Sequence, residues 1–311
     1  MDYLWQLHKN KTLHIVETIF YGVGILQIIY WFYFLIGVIR LKKSGKGNSD
    51  IDKGISIIVA ANNELENLKV LIPKLLNQNY GPFEVIIVND RSHDGTLEYL
   101  HELDKGENLK ALKVDHLPDH INGKKYALTL GIKAAKYEHV LLTDADCIPQ
   151  NEYWIASMAS GFSKNKEIVL GFSNYQKRPG FLNYFIRFET VLAGIQYLGA
   201  AAMGSPYMGV GRNLAYSKDL FLRNKGFSGI QDVVGGDDDL FVNRYAKSAN
   251  TVGLVGADAM TLSIPKTSWS EYLRQKTRHL SVGKLYKPAS KFFLSIFYLS
   301  WIFTWILGGI V

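Results

Sequence analysis

The stretch YEHVLLTDADC, residues 137–147, contains an apolar run that ends directly in two aspartates. The run 140–142 is typical of a strand that is buried on both faces of a sheet. Carboxylates so close to a core are costly unless a partner stabilises them. We therefore expect Asp144 and Asp146 to face a turn, a helix N-terminus or a metal ion at the end of this strand.

The same pattern occurs twice upstream. The apolar runs GISIIVAA, 54–61, and FEVIIV, 83–88, also end in polar residues, NNE and ND respectively. A further strand is predicted over 109–114, and helical stretches separate the strands. This alternation predicts βαβ units, and hence a Rossmann-like α/β domain with a mostly parallel sheet and helices on both faces. Ligands of such sheets bind at the carboxyl ends of the strands, so the polar strand ends predict a binding site.

Two long segments of the 311-residue chain carry no charge, Thr18–Ile39 and Phe292–Val311. Crossing the roughly 30 Å hydrocarbon layer takes about 20 apolar residues in a helix, and both segments are long enough. The first is too long for a signal peptide, and no small-residue cleavage site follows it. We predict that both are transmembrane helices. The remaining divisions are then an N-terminal tail, 1–17, a basic linker, 40–53, the α/β domain, 54–266, and an amphipathic segment, 267–291.

Basic residues flank both predicted spans on the side of the α/β domain. They are Arg40, Lys42, Lys43 and Lys46 after the first span, and Lys284, Lys287 and Lys291 before the second. Because cytosolic flanks carry more Lys and Arg, this bias predicts a membrane protein, in the inner membrane of a bacterium, with a cytosolic α/β domain. Lys9 and Lys11 on the other side of the first span make the contrast moderate. The single cysteine, Cys147, fits a reducing compartment.

Composition narrows the range of partners. Hydrophobic residues make up 48% of the chain, which the two uncharged segments explain. The net charge of +7 suits a domain that lies against anionic lipid. The chain shows no basic stripe interleaved with aromatic residues, so nucleic acid is not a predicted partner.

Two groups of carboxylates are candidates for chemistry. Asp144 and Asp146 offer hard oxygen ligands that suit Mg²⁺ or Mn²⁺, because residues two apart on an extended chain point the same way. The alternative is an Asx turn that leads into the helix after Pro149. The triplet 237–239 could supply a general base, since neighbouring like charges raise the pKa of a carboxylate. The alternative is an acidic helix start that gains from the helix dipole.

Other candidates lie before and after these groups. Asp90 comes directly after a strand and is expected to contact a ligand, whereas Asp94 is expected to cap the next helix. Gln275, Arg278 and His279 share roughly one face of a basic helix. An arginine there can neutralise a diphosphate with paired donors, or it can contact lipid headgroups.

Two further motifs are interpreted as weak. GVGRNLA, 209–215, half-matches a dinucleotide fingerprint, but the segment after the glycines is predicted to be extended rather than helical. DHLPDH, 115–120, spaces two histidines as a helical metal site would, but Pro118 breaks such a helix. We expect a solvated loop there.

Six motifs taken together, SIIVAANNE, VIIVNDRSHDGT, NGKKYALTLG, LLTDADC, GGDDDL and QKTRH, resemble those of the family 2 glycosyltransferases in order and spacing. The resemblance covers about 55–283. It implies the GT-A fold, a nucleotide-sugar donor such as a UDP- or GDP-sugar, a divalent metal ion and inversion at the anomeric carbon.

The resemblance also implies roles for single residues. It assigns Glu64 and Asp90 to the nucleoside, Lys124 to the neighbourhood of the nucleotide, and Asp144 and Asp146 to the metal on the diphosphate. An acid of GGDDDL would be the base: members with an E-D-x-[DEH]-L pattern align with Asp237, and a direct GDD match favours Asp238. Gln275 and Arg278 match the Q-x-x-R-W motif of membrane-bound members, in which His279 here replaces the tryptophan.

Three functions follow from this pattern. The first is single transfer of a sugar to a lipid or lipid-linked acceptor at the cytosolic face of the membrane. The second is a processive polysaccharide synthase similar to cellulose or hyaluronan synthases, for which one predicted span on each side gives little material for a channel. The third is a non-catalytic membrane scaffold, which retention of every motif acid disfavours.

Overall fold

The computed structural model describes residues 2–43, 54–103, 106 and 108–311, with the backbone alone for residues 2–10 and 42. Most of the predicted linker, including Lys46, lies outside the described residues. The helices are α1 Asp2–Arg40, α2 Leu65–Leu76, α3 Thr96–Leu103, α4 Gly123–Ala134, α5 Trp154–Ala159, α6 Phe181–Ala202, α7 Lys218–Arg223, α8 Asp239–Tyr245, α9 Trp269–Val282 and α10 Pro288–Gly308. The strands are β1 Lys42–Lys43, β2 Ile55–Ala61, β3 Phe83–Asn89, β4 Leu109–Lys113, β5 His139–Leu142, β6 Cys147–Pro149, β7 Ile168–Leu170, β8 Ser173–Tyr175, β9 Leu214–Ser217, β10 Thr251–Val255 and β11 Thr261–Ser263.

Within the described residues, eight strands form one sheet in the order β1-β10-β7-β9-β5-β2-β3-β4. Only β9 runs antiparallel to its neighbours in that sheet, β5 and β7. The predicted α/β class with a mostly parallel sheet is therefore confirmed. A second sheet of three short strands, β6-β11-β8, was not predicted from the sequence.

The register of the central strands brings their carboxyl ends to one edge. Ile58 of β2 pairs with Ile86 of β3 and with Leu142 of β5. Because the three strands are parallel, the polar residues that follow them leave the sheet together. Asp90 and Asp144 therefore lie at the same edge, as the sequence pattern predicts.

Two hydrophobic cores cover the faces of the sheet. Successive residues of β2 alternate between them: Ile57 packs in the core that contains α2 and α5, and Ile58 packs in the core that contains α4. Both side chains are fully buried. Helices on both faces explain why the strands are apolar without a polar alternation.

Asp94 ties two helices together at the site edge. Its Oδ1 accepts a hydrogen bond from the Thr96 amide at 3.1 Å, at the start of α3. Its Oδ2 accepts from the Leu65 amide at 3.0 Å, at the start of α2. The predicted capping role of Asp94 is thus confirmed and extends to a second helix.

Two helices are long and apolar enough to cross a membrane, over Lys11–Arg40 and Pro288–Gly308. Both include most of the predicted spans, and α1 continues back through the described part of the predicted tail. The two helices are joined by polar side chains as well as aromatic rings. Gln27 donates to the Phe297 carbonyl at 2.8 Å, and the Tyr30 hydroxyl donates to the Phe293 carbonyl at 3.0 Å. Such bonds between helices suit a lipid surrounding, where few other partners exist.

We expect Gly37→Ala and Gly199→Ala to destabilise the crossing of α1 and α6. A Cβ at Gly37 would lie 2.1 Å from the Gly199 carbonyl oxygen, and one at Gly199 would lie 2.5 Å from the Phe34 carbonyl oxygen. Overpacking of this kind costs about 1–3 kcal/mol in free energy of unfolding. Melting in detergent measures the effect. Gly22→Ala on the same helix is the control, because a Cβ there meets nothing within 4 Å; equal melting of all three variants would refute a close crossing.

Candidate active site

The two aspartates after β5 converge through a turn. The Cys147 amide donates to the Asp144 carbonyl at 3.1 Å, so the expectation of an extended chain here is wrong. The turn nevertheless brings carboxylate oxygens of Asp144 and Asp146 and the Cys147 sulfur within 4.8 Å of one another. The turn is short because the next strand, β6, begins already at Cys147, where it pairs with β11 in the second sheet.

This donor set fits a hard divalent cation. Burial, and next the charge of Asp144, raise the pKa of Asp146. Ionised Asp146 is therefore unfavourable here, and a bound cation would stabilise it. The Cys147 sulfur lies 3.2 Å from an Asp146 oxygen and 2.8 Å from the Ser263 hydroxyl. Burial also raises the pKa of the Cys147 thiol well above its ordinary value, so it stays protonated and is not a thiolate ligand. Two carboxylates remain, which suit Mg²⁺ or Mn²⁺.

Lys124 connects this acid pair to the acidic triplet. It lies in the first turn of α4, whose N-cap is Asn122. Its Nζ is 2.8 Å from an Asp144 oxygen and 3.0 Å from an Asp237 oxygen. Burial alone would lower the pKa of Lys124, but the charges of Asp144 and Asp237 raise it well above its ordinary value. Lys124 is therefore a fixed positive charge between the two groups.

The three acids of the triplet have three different partners. Asp237 is buried and faces Lys124. Burial by itself would raise the pKa of Asp237, but Lys124 lowers it overall, so the carboxylate is ionised. Asp238 accepts from the Gly211 amide at 2.6 Å and from the Asp239 amide at 2.7 Å, which caps α8. The predicted acidic helix start is confirmed for Asp238, while Asp237 remains directed at the site.

We expect Asp239→Asn to flatten the pH dependence of stability. Burial, and then the charge of Asp238, raise the pKa of Asp239 from 3.8 to about 8. Between these values the folded protein holds a proton that the unfolded chain has released, so stability is full below the lower value and falls as the pH rises toward the higher. Melting temperatures across this range check the effect. The exposed Asp219→Asn should keep the wild-type slope; a wild-type slope in Asp239→Asn would contradict the shift.

The residues assigned to the nucleoside lie at the same edge. Asp90 is buried, and its Oδ1 accepts from Arg91 Nε at 2.8 Å. A Cβ at Gly123 would lie 2.4 Å from the other Asp90 oxygen, so α4 approaches Asp90 only because residue 123 is glycine. Glu64 accepts from Asn67 at 2.5 Å. Burial chiefly raises the pKa of Glu64, and the charges of Asp146 and Asp144 add to it, so Glu64 is within electrostatic reach of the acid pair.

Helix α9 presents the Q-x-x-R-H residues. Gln275 is half-buried and hydrogen-bonds to Tyr175, whereas Arg278 and His279 are exposed. Desolvation chiefly lowers the pKa of His279 to about 4, and the positive charges of Lys276, Arg278, Arg212 and Lys124 lower it further. His279 is therefore within electrostatic range of Lys124, although both His279 and Arg278 lie at the surface.

In the motif GVGRNLA, residues 211–213 form a 3₁₀ turn and the strand β9 begins at Leu214. The prediction of an extended segment is therefore confirmed from Leu214 onward, but not for the two residues directly after the glycines. Sequence reasoning nevertheless missed Arg212 within it. The Arg212 guanidinium lies 4.6 Å from the centre of the Tyr175 ring. A charged residue two positions before the strand LAYS was the available signal, but only the pairing of β9 with β5 shows that it lies near the acid pair.

These observations place an acid pair, an ammonium group and an acidic triplet together at one edge of the sheet. Residues 56–221 match the family model described as Glycosyl transferase family 2. The chain belongs to glycosyltransferase family 2, and it is a sugar-transferring enzyme, as the resemblance implied.

Curated relatives match a part of the chain. The poly-beta-1,6-N-acetyl-D-glucosamine synthase of Staphylococcus epidermidis is 32% identical over 152 residues, which cover 46% of this chain and 35% of that protein. The synthase of the same name from Staphylococcus aureus is 33% identical over 137 residues, which cover 42% of this chain and 32% of that protein. The chain thus aligns with about a third of the length of these relatives.

Solved structures confirm the fold. The mannosyltransferase PcManGT from Pyrobaculum calidifontis, in complex with GDP-Man and Mn²⁺, superposes with a TM-score of 0.69 over 94% of this chain and 85% of that chain at 18% identity. TarS of S. aureus in complex with UDP superposes with a TM-score of 0.51 over 68% of this chain and 61% of that chain, also at 18% identity. The fold is therefore the predicted GT-A fold.

Proposed function

We propose that the protein transfers a sugar from a nucleoside-diphosphate sugar to an acceptor hydroxyl with inversion at the anomeric carbon, using a divalent cation. One observation carries this proposal: Asp146 lies beside Asp144, and Lys124 pairs with both Asp144 and Asp237, all at the carboxyl edge of the sheet. A cation site, a fixed ammonium and a base candidate are what such a transfer needs.

In this mechanism Asp144 and Asp146 hold Mg²⁺ or Mn²⁺, which when bound stabilises negative charge on the diphosphate leaving group. Asp237 accepts the proton of the acceptor hydroxyl while that oxygen bonds to the anomeric carbon and the bond to the diphosphate breaks. Lys124 keeps Asp237 ionised and so able to take the proton. We assign the base to Asp237 rather than Asp238, because both Asp238 oxygens accept backbone amides.

The donor is proposed to be a UDP- or GDP-sugar, bound by Glu64 and Asp90 on the nucleoside side and by Gln275 and Arg278 from α9. Two proteins of similar fold were solved with GDP-Man or with UDP, which supports testing guanosine and uridine nucleotides first. Glu64 and Asp90 follow neighbouring parallel strands, so one nucleoside can reach both.

The acceptor is proposed to be a lipid or lipid-linked sugar at the cytosolic face of the membrane. Tyr286, two residues before the start of the candidate span α10, donates to an Asp239 oxygen at 3.0 Å, so the triplet lies close to where that helix begins. Similarity to poly-beta-1,6-N-acetyl-D-glucosamine synthases favours a glycan acceptor as the second candidate. Product length with a radiolabelled donor separates single transfer from processive synthesis.

A thermal-shift panel tests the proposal. Detergent-solubilised protein is melted with UDP, GDP and their sugars, each with and without Mn²⁺. We expect at least one nucleotide to raise the melting temperature in a manner that requires Mn²⁺, because a ligand that binds only the folded state stabilises it. Absence of any cation-dependent shift, together with absence of donor hydrolysis, would favour the scaffold function instead.

A further inference from the structure

The main chain of Arg212 is fixed between the two acidic groups of the site. Its carbonyl accepts from the Thr143 hydroxyl at 3.1 Å, directly before Asp144, and from the Thr261 hydroxyl at 3.0 Å. The preceding residue, Gly211, donates its amide to Asp238. The side chain of Arg212 therefore starts from a rigid position beside both the acid pair and the triplet.

The guanidinium of Arg212 stacks on an aromatic ring, but one of its nitrogens lacks a hydrogen-bond partner among the described residues. It lies over the Tyr175 ring, and its Nη1 nitrogen is buried without a hydrogen-bond partner among the described residues. A buried donor of a charged group that lacks an acceptor is costly. Arg212 as a whole residue is only half-buried, so it is not sealed inside the core.

The neighbouring carboxylates do not use this charge directly. Asp144 pairs with Lys124, and an Asp146 oxygen bonds to the Cys147 thiol. Among the described residues, neither carboxylate of the acid pair forms an ion pair with Arg212, although the Arg212 main chain is tied to the residue before Asp144 through the Thr143 hydroxyl. A group that fits Arg212 carries negative charge and several acceptor oxygens.

We propose that Arg212 is a phosphate-binding residue of the transfer site. A guanidinium fork matches two phosphate oxygens, and stacking on Tyr175 sets the plane of that fork. This inference rests on the proposed function, because it requires a phosphorylated substrate at the acid pair. Two sources supply the same chemistry: the diphosphate of the donor and the phosphate of a lipid acceptor.

The experiment measures binding rather than turnover. Full-length Arg212→Met and Arg212→Lys are titrated with UDP and GDP in the presence of Mn²⁺, and with a polyprenyl phosphate against the uncharged polyprenol. Loss of one charged hydrogen bond predicts about 10- to 100-fold weaker binding of the phosphate in at least one arm for Arg212→Met. Arg212→Lys keeps the charge but not the planar fork, and we expect weaker binding than wild type there too, which keeps the test open if the methionine variant does not fold.

Arg223→Met is the matched control. Arg223 is the last residue of α7 and pairs with Asp219 of the same helix and with Glu167 directly before β7. Helix α7 follows β9 at the end opposite to Arg212. It should bind every probe as wild type does. Weakening confined to the nucleotide arm assigns Arg212 to the donor, and weakening confined to the polyprenyl phosphate assigns it to the acceptor. Wild-type affinity of both Arg212 variants in both arms would overturn the inference alone, whereas a wild type that binds neither probe would overturn the proposed function.

Discussion

Asp146→Asn is expected to lower the rate of sugar transfer by about 10³-fold or more, because it removes half of the charge that holds the divalent cation. Asp144→Asn should have a similar effect. The two carboxylates converge through a turn fixed by β6, so neither can be replaced by a neighbouring acid. Transfer from a radiolabelled nucleotide sugar into the lipid fraction measures the rate.

A second measurement shows that the loss comes from the cation site. Mn²⁺ should shift the melting temperature of the wild-type protein with nucleotide, but not that of Asp146→Asn. The stability without ligand should stay the same or rise, since burial and the charge of Asp144 already penalise ionised Asp146. Asp219→Asn, an exposed acid on α7, is the control and should be fully active. Full activity of both site variants would end the assignment of the acid pair.

Asp237→Asn is expected to reduce transfer by about 10²- to 10⁴-fold, the range that a positioned general base contributes. Its carboxylate is ionised beside Lys124, and the substitution removes the group that takes the proton. Nucleotide binding with Mn²⁺ should persist, because the acid pair is unchanged. Single-turnover transfer and nucleotide titration of the same preparation separate the two effects.

Asp238→Asn should differ in kind from Asp237→Asn. Asp238 accepts two backbone amides and caps α8, so its replacement should cost about 1 kcal/mol in stability and reduce the rate only modestly. The pair of variants therefore distinguishes the base from its neighbour. A normally stable but inactive Asp238→Asn beside an active Asp237→Asn would reverse the assignment.

Local pattern was enough to predict much of the fold. The runs 54–61, 83–88 and 140–142 are largely apolar without regular alternation, and the structure places them side by side in a parallel sheet. Chain direction alone then brings Asp90 and Asp144 to one edge. The small sheet β6-β11-β8 escaped prediction, because its strands are three residues each and pair with partners 88 to 116 residues away along the chain.

The candidate site, like the fold, was predicted from the sequence in part. Residue type and position at a strand end identified Asp144 and Asp146 from the sequence, since a carboxylate next to a core needs a partner. The triplet was identified from its three adjacent like charges. The sequence left Asp237 and Asp238 equivalent, because adjacent residues carry no information about which side chain faces Lys124. The α8 cap and the Gly211 amide separate them in the folded chain.

Arg212 shows the remaining limit. Its motif is local, but its neighbours are Thr143 directly after β5, Tyr175 of β8 and Thr261 of β11. Residue chemistry and spacing were therefore sufficient for the class of protein and the acid pair, which depend on the order of strands along the chain. The direction of each acid and the environment of Arg212 depend on long-range packing, which only the folded structure contains.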